Sequence, residues 1–282
     1  MKIAITGATG FIGRHLVAAL QPRGHVLILM VRPESVIPES FHHHTLVPLD
    51  LHAPPDRLFD RLGQPDLLIH LAWSGLPNYR SLHHFETELP AQYAFLKSWI
   101  TAGLPRLLVT GTCFEYGMQS GALNEACPTR PDNPYGFAKD QLRQQLQFLQ
   151  RSHSFHLTWT RLFYLYGPGQ GDNALLSQLR RAVKEGASQF NMSGGEQLRD
   201  YLPAETVAER LASLALTADC RHGVINLASG QPISVRRLVE QWLQKEGWSI
   251  ALNLGHYPYP DHEPMAFWGD CTKLHQALAE SV

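Results

Sequence analysis

Cysteine is scarce in this chain: four copies, Cys113, Cys127, Cys220 and Cys271, stand far apart with no Cys-x-x-Cys pair. That spacing excludes a disulfide framework and a thiolate zinc site, and leaves reduced thiols that mostly pack. Surplus charge is missing too. The 24 Lys plus Arg nearly cancel the 25 Asp plus Glu, so no strong field argues for nucleic acid or an anionic membrane as main partner. No stretch reaches the roughly 18 uninterrupted apolar residues that a membrane helix needs. The start, Met1-Lys2-Ile3-Ala4-Ile5-Thr6, has neither the length nor the small-residue cleavage site of a secretory leader, so a cytoplasmic protein is expected. Internal repeats and low-complexity linkers are also lacking, which predicts parts joined by a long interface rather than a tether.

What the chain does have is enough apolar content, 44%, to fill a sizeable core in 282 residues. Short apolar runs at residues 2–6, 26–31, 45–48, 67–71, 106–110 and 156–160 alternate with amphipathic stretches such as 11–20, 82–101 and 135–150. Strand and helix in alternation predict an α/β fold, a doubly wound parallel sheet that binds ligands at the carboxyl ends of its strands. Beyond Gly167-Pro168-Gly169 the pattern loosens into helical stretches at 174–185, 205–217 and 235–245 and a Pro- and His-rich tail at 256–264. The expected division is a dinucleotide-binding domain over 1–165 and a smaller, mainly substrate-binding C-terminal lobe over 166–282, with elements returning to the sheet.

Between the first strand and first helix stands Gly7-Ala8-Thr9-Gly10-Phe11-Ile12-Gly13. Glycines there allow a tight turn and bring helix-start N–H groups to a pyrophosphate. The spacing is Gly-x-x-Gly-x-x-Gly, not the Gly-x-Gly-x-x-Gly of the dinucleotide fingerprint. The second strand ends in Met30-Val31-Arg32, without the acidic residue that bonds a ribose 2′-hydroxyl. An arginine there suits a 2′-phosphate, so NADP(H) is favoured over NAD(H). Further on, Tyr135-Gly136-Phe137-Ala138-Lys139 sets a phenol and an ammonium four residues apart on one helix face. A phenol of pKa about 10 needs such a cation to act as acid or base near neutrality.

These segments resemble the extended short-chain dehydrogenase/reductases, the NAD-dependent epimerase/dehydratase type with a Rossmann-like fold. Thr112 stands four residues before Tyr116-Gly117, and Pro131-Asp132-Asn133-Pro134 leads into Tyr135, the family's usual approach to its catalytic helix. The resemblance implies that Thr112, Tyr135 and Lys139 are catalytic. It implies cofactor contacts at Gly7, Thr9, Gly10, Phe11, Ile12, Gly13, Arg32, Asp50, Leu51, Leu71 and Ala72 as well as Tyr135 and Lys139. It implies substrate contacts at Trp73, Thr112, Cys113, Phe114, Tyr135, Tyr164, Asn173 and Arg199. Asp50 reads equally as a helix N-cap, Trp73 and Tyr79 as loop packing, His70 as a core histidine, and Arg199 with Asp200 as a structural ion pair.

Departures from the family narrow the activity. Dehydratases of this type need an Asp-Glu pair where this chain has Cys113-Phe114, so elimination is excluded. Glu115, one place further, reads as a buried or cap-forming carboxylate. Tyr164 replaces the Asn with which many nucleotide-sugar enzymes hold the diphosphate. The segment from His70 to Tyr79 with Gly111-Thr112-Cys113-Phe114-Glu115-Tyr116-Gly117 resembles reductases of nucleotide 4-keto-6-deoxyhexoses. A 4-ketoreductase of deoxysugar biosynthesis is therefore expected, with a nucleotide-sugar epimerase holding NAD tightly as the alternative. A dinucleotide-binding redox sensor fits less well, because sensors tend to lose the Tyr and Lys that are kept here. No metal is expected, His42-His43-His44 reading as a solvated run. The helices from Leu82 and Tyr135 resemble those that pair into family homodimers.

Overall fold

The computed structural model describes residues 1–217, 222–261 and 263–279, so Cys220 lies outside the described residues. Seven strands form one parallel sheet: β1 (Lys2–Thr6), β2 (Val26–Val31), β3 (Thr45–Pro48), β4 (Leu67–His70), β5 (Arg106–Thr112), β6 (His156–Leu162) and β7 (Gly223–Leu227). Their order is β7-β6-β5-β4-β1-β2-β3, a Rossmann-like doubly wound arrangement. The chain builds outward from β1 through β2 to β3, then crosses back to lay β4 on β1's other side, with Ile3 to Thr6 opposite Leu67 to His70. The order thus reverses between β1 and β4, and a crevice opens at their carboxyl ends.

Strand alternation decides which face each side chain covers. Ile3, Ile5, Leu27, Leu29 and Ile69 point to one face, where α1 (Phe11–Leu20) supplies Leu16 and Leu20 and a later helix supplies Leu211 and Leu214. Ala4, Ile28, Leu68, Leu107 and Val109 point to the other, against α2 (Leu89–Thr101) and α3 (Pro134–Leu149) with Phe95, Trp99, Leu142 and Leu146. A third cluster, around Leu179, Phe190, Met192, Val239 and Trp242, forms the core of the C-terminal part. Residues 223–227 return to the sheet as its edge strand beside β6.

The expected elements form with small shifts. β5 and β6 each run two residues beyond expectation, and that extension carries Thr112 to the sheet's rim. The helix expected over 82–101 is divided: His84–Glu88 makes one wide π-type turn before α2. Pro90, in the first turn of α2, has no N–H to give the preceding turn, and wide turns of this kind concentrate at functional sites. Among the described residues no helix is long and apolar enough to cross a membrane.

Candidate active site

The loop leaving β1 sits in the crevice. Gly7 has φ 71°, and a Cβ there would lie 2.9 Å from the Ala72 backbone nitrogen; a Cβ on Gly13 would collide with the Gly7 carbonyl oxygen. Only glycine lets the loop press so closely on the β4 exit and on its own helix. Gly10 caps α1 with no side chain bonded to the helix start, so the first-turn N–H groups suit a phosphate. The cleft above them, about 310 Å³, is lined by Gly7, Thr9, Gly10, Arg32, Asp50, Leu51, Leu71, Ala72 and Trp73. Glycine cradle, uncapped helix start and elongated cleft fit a dinucleotide. The side chains of Phe11 and Ile12 pack elsewhere, Phe11 edge-on against His15 and Ile12 on the core, so what these residues offer the cleft is their first-turn N–H groups. Arg32 is 73% exposed and faces Glu34 at 3.5 Å, so a carboxylate does stand beside the β2 exit, two residues beyond where the sequence pattern puts one. Asp50 lines the cleft and accepts the His52 backbone N–H at 2.9 Å.

Sequence reasoning missed Glu88, which is buried in the cleft wall. It accepts hydrogen bonds from the Ser74 hydroxyl, the Ser74 N–H at 3.2 Å, Gln92 at 2.9 Å and His52 at 2.9 Å. Burial works to raise its pKa, but the Ser74 and Gln92 donors outweigh it and hold the carboxyl below its ordinary value. The available signal was periodicity: Glu88 and Gln92 share the helix face of Phe95 and Trp99, polar groups on an otherwise apolar stripe.

Past Trp73 the cleft meets the predicted pair. Asn133 accepts the Gly136 N–H at 2.9 Å and Pro134 occupies the first turn, which starts α3 just before Tyr135. The Lys139 ammonium is buried, donates to the Thr110 carbonyl at 2.9 Å, and lies 4.1 Å from the Trp73 ring centroid. Burial pulls its pKa down to about 7, against the opposing charges of Glu115 and Glu88. Tyr135 is enclosed by Tyr79, His84, Trp73 and Phe114, with ring centroids 5.3–6.4 Å away. Burial pushes its phenol well above the ordinary value, opposed by a hydrogen bond with Thr112. Trp73 therefore stands between the dinucleotide cleft and the Tyr-Lys pair. Tyr79 packs against the Tyr135 ring at 5.5 Å.

Thr112 is held by Glu115. This fully buried carboxylate accepts the Thr112 N–H at 2.9 Å, the Trp159 indole N–H at 2.9 Å and the Arg161 guanidinium at 2.8 Å. Both readings of Glu115, buried and cap-forming, hold at once. Cys113 is a buried thiol pushed up by burial, and Phe114 packs at a tilt against Tyr79, ring centroids 5.0 Å apart. His70 is a core histidine: it shares a hydrogen bond with Thr6 at 2.9 Å, and burial lowers its pKa to about 3.

On the C-terminal side a second cleft, about 290 Å³, contains Tyr164 and Arg199. Asn173 is exposed near the start of the helix Leu175–Lys184 and does not line it. Arg199 does not pair with Asp200. Successive strand residues point to opposite faces, so Arg199 meets Glu263 at 2.8 Å, while Asp200 accepts N–H groups of Ser229 and Gly230 at 2.6 and 2.9 Å. His43 and His44 lie with tilted rings against each other, and no group of His, Cys, Asp or Glu among the described residues is arranged to hold a metal.

Residues 3–228 match the NAD dependent epimerase/dehydratase family. The chain belongs to this family. Among curated relatives of this epimerase/dehydratase chain is the dTDP-6-deoxy-L-talose 4-dehydrogenase (NAD(+)) of Aggregatibacter actinomycetemcomitans, 30% identical over 273 residues that cover 95% of this chain and 99% of that protein. The UDP-glucose 4-epimerase of Halalkalibacterium halodurans is 24% identical over 89% of this chain and 82% of its own. Among solved structures, MoeE5 in complex with UDP-glucuronic acid and NAD aligns with a TM-score of 0.82 and 27% identity, covering 99% of this chain and 93% of that one.

A lysine titrating below its ordinary 10.5 leaves the unfolded chain with more bound protons, so folding stability rises with pH above about 7. The window is read up to roughly pH 8.5, before thiols ionise in the unfolded chain. Urea unfolding of the cofactor-free protein is expected to show this rise, and Lys139→Met to flatten it. An unchanged pH slope in the variant would contradict the assigned environment of Lys139.

Proposed function

We propose that this chain is an NAD(H)-dependent oxidoreductase acting at C4 of a nucleotide-linked 6-deoxyhexose, with reduction of the 4-keto sugar as its working direction. The observation that carries the reading is the enclosed Tyr135 phenol with Lys139 one helical turn on, both against the far side of Trp73, whose ring lines a cleft that fits a dinucleotide. A bound nicotinamide supplies the hydride exchanged with the sugar carbon. Tyr135 exchanges a proton with the C4 oxygen, Thr112 bonds that oxygen, and Lys139 holds the cofactor ribose and steadies the phenol's charge. Burial keeps Tyr135 protonated near neutrality, which suits donation to a carbonyl oxygen. Phe114, in ring contact with Tyr79, and the buried Cys113 are apolar neighbours that would suit a C6 methyl better than a hydroxyl. The same residues offer no acid-base pair for dehydration.

NAD(H) replaces the NADP(H) expected from Arg32, because Glu34 neutralises that arginine and would repel a 2′-phosphate. The relative named for NAD(+) and the neighbour solved with NAD support this choice. The two-domain division remains part of this reading, with the substrate's nucleotide held by the C-terminal half. A homodimer through α2, α3 and the turn before them belongs to it too, supported by exposed Leu82, Phe137 and Phe148 there.

Purified enzyme is expected to oxidise NADH faster than NADPH with at least one of dTDP-, UDP-, CDP- or GDP-4-keto-6-deoxyhexose. No oxidation with any of them, together with NAD retained through purification, would instead favour a 4-epimerase. Tyr135→Phe is expected to lower kcat by roughly 10²–10⁴-fold with dinucleotide affinity unchanged. Full turnover in that variant would overturn the assigned chemistry.

A further inference from the structure

The guanidinium of Arg199 has almost no freedom. Its side chain is 3% exposed, its faces lie 4.9 Å from the Phe267 ring centroid and 5.8 Å from that of Tyr164, and Nη1 donates to the carbonyls of Leu198 and Met265 at 2.9 and 3.4 Å. One edge remains for an incoming anion, the fork formed by Nε and Nη2. Both of those nitrogens donate to a single oxygen of Glu263, at 3.2 and 2.8 Å. Glu263 is itself only 15% exposed, and it comes from the tail segment whose Asp261 is ion-paired at 2.9 Å with Arg80, next to the loop residue Tyr79.

Among the described residues lining the second cleft, Arg199 is the one cation and Glu263 the one carboxylate. Together they leave the cleft without net charge, a poor host for a diphosphate. The carboxylate also faces inward: after burial, its charge helps to raise the pKa of Tyr79, Tyr164 and Cys113.

We propose that Glu263 is a stand-in anion that holds the phosphate-binding edge of Arg199 until the substrate's diphosphate displaces it, so that this carboxylate sets the affinity for phosphorylated substrates. The proposal rests on the nucleotide-sugar reading above. Displacement returns a net positive charge to Arg199 and frees Glu263 toward solvent with the tail. A ligand that cannot offer a fork of two anionic oxygens gains nothing from Arg199 and leaves Glu263 in place.

The test is calorimetric titration of NADH-saturated protein with UDP, dTDP and inorganic pyrophosphate. Glu263→Gln, which keeps the shape and removes the charge, is expected to bind at least one of these about 10-fold more tightly than wild type. The gain should vanish when Arg199→Met is added. Equal or weaker binding by Glu263→Gln, with measurable binding by wild type, overturns the proposal and leaves the nucleotide-sugar reading standing. Absence of binding by both proteins overturns the two together. Should Glu263→Gln fail to fold, Glu263→Asp, one methylene shorter, is expected to show a smaller gain in the same direction, and its binding like wild type would overturn the proposal.

Discussion

A single buried carboxylate, Glu115, organises the catalytic corner. It is fully enclosed, and an unpaired charge there would cost several kcal/mol, so its oxygens must be met by donors. They are met by the Thr112 N–H at the end of β5 and by Trp159 and Arg161 in neighbouring β6. Arg143 of α3 comes within 3.8 Å of it. The carboxylate thus ties two strand ends and α3 to one point, and the position of Thr112 relative to Tyr135 follows from its satisfaction. Its charge also opposes the loss of the proton from Lys139.

Around that corner the fold separates tasks by side of the sheet. The β1–β4 reversal opens the crevice, and close approach of Gly7 to Ala72 shapes its floor. Glu88 fastens the Ser74 backbone and His52 to the wall of the same cleft, so loops after β3 and β4 are drawn together around the space for a dinucleotide. Trp73 closes that space toward Lys139 and Tyr135. A second cleft, lined by Tyr164 and Arg199, lies on the C-terminal side.

Much of this was legible in the residue order. Six sheet strands, α1, α3, the glycine loop and the Tyr135–Lys139 spacing follow from local pattern, because periodicity, capping and spacing are properties of neighbours in sequence, whereas Thr112 came with the family resemblance. What was not legible depends on how the chain places its side chains in space. Arg199 finds Glu263 rather than Asp200, and only strand geometry with a fold-back of the tail decides it. Arg32 looks like a free cation until the turn after β2 brings Glu34 to it. Glu88 lay inside a helical stretch, where a charged residue normally faces water. Its burial was signalled only by its sharing the apolar face of Phe95 and Trp99. Asn173, implied by the family resemblance, stands exposed before the helix Leu175–Lys184 and outside the cleft lining.

The most direct measurement follows isotope from cofactor to sugar. NADH carrying deuterium at the transferable position of the nicotinamide is mixed with the enzyme and a nucleotide 4-keto-6-deoxyhexose, and the product is read by mass and NMR. The account predicts one deuterium at sugar C4, a single C4 configuration and one NAD+ formed per product. Unlabelled product in both C4 configurations, with no net loss of NADH, would contradict it.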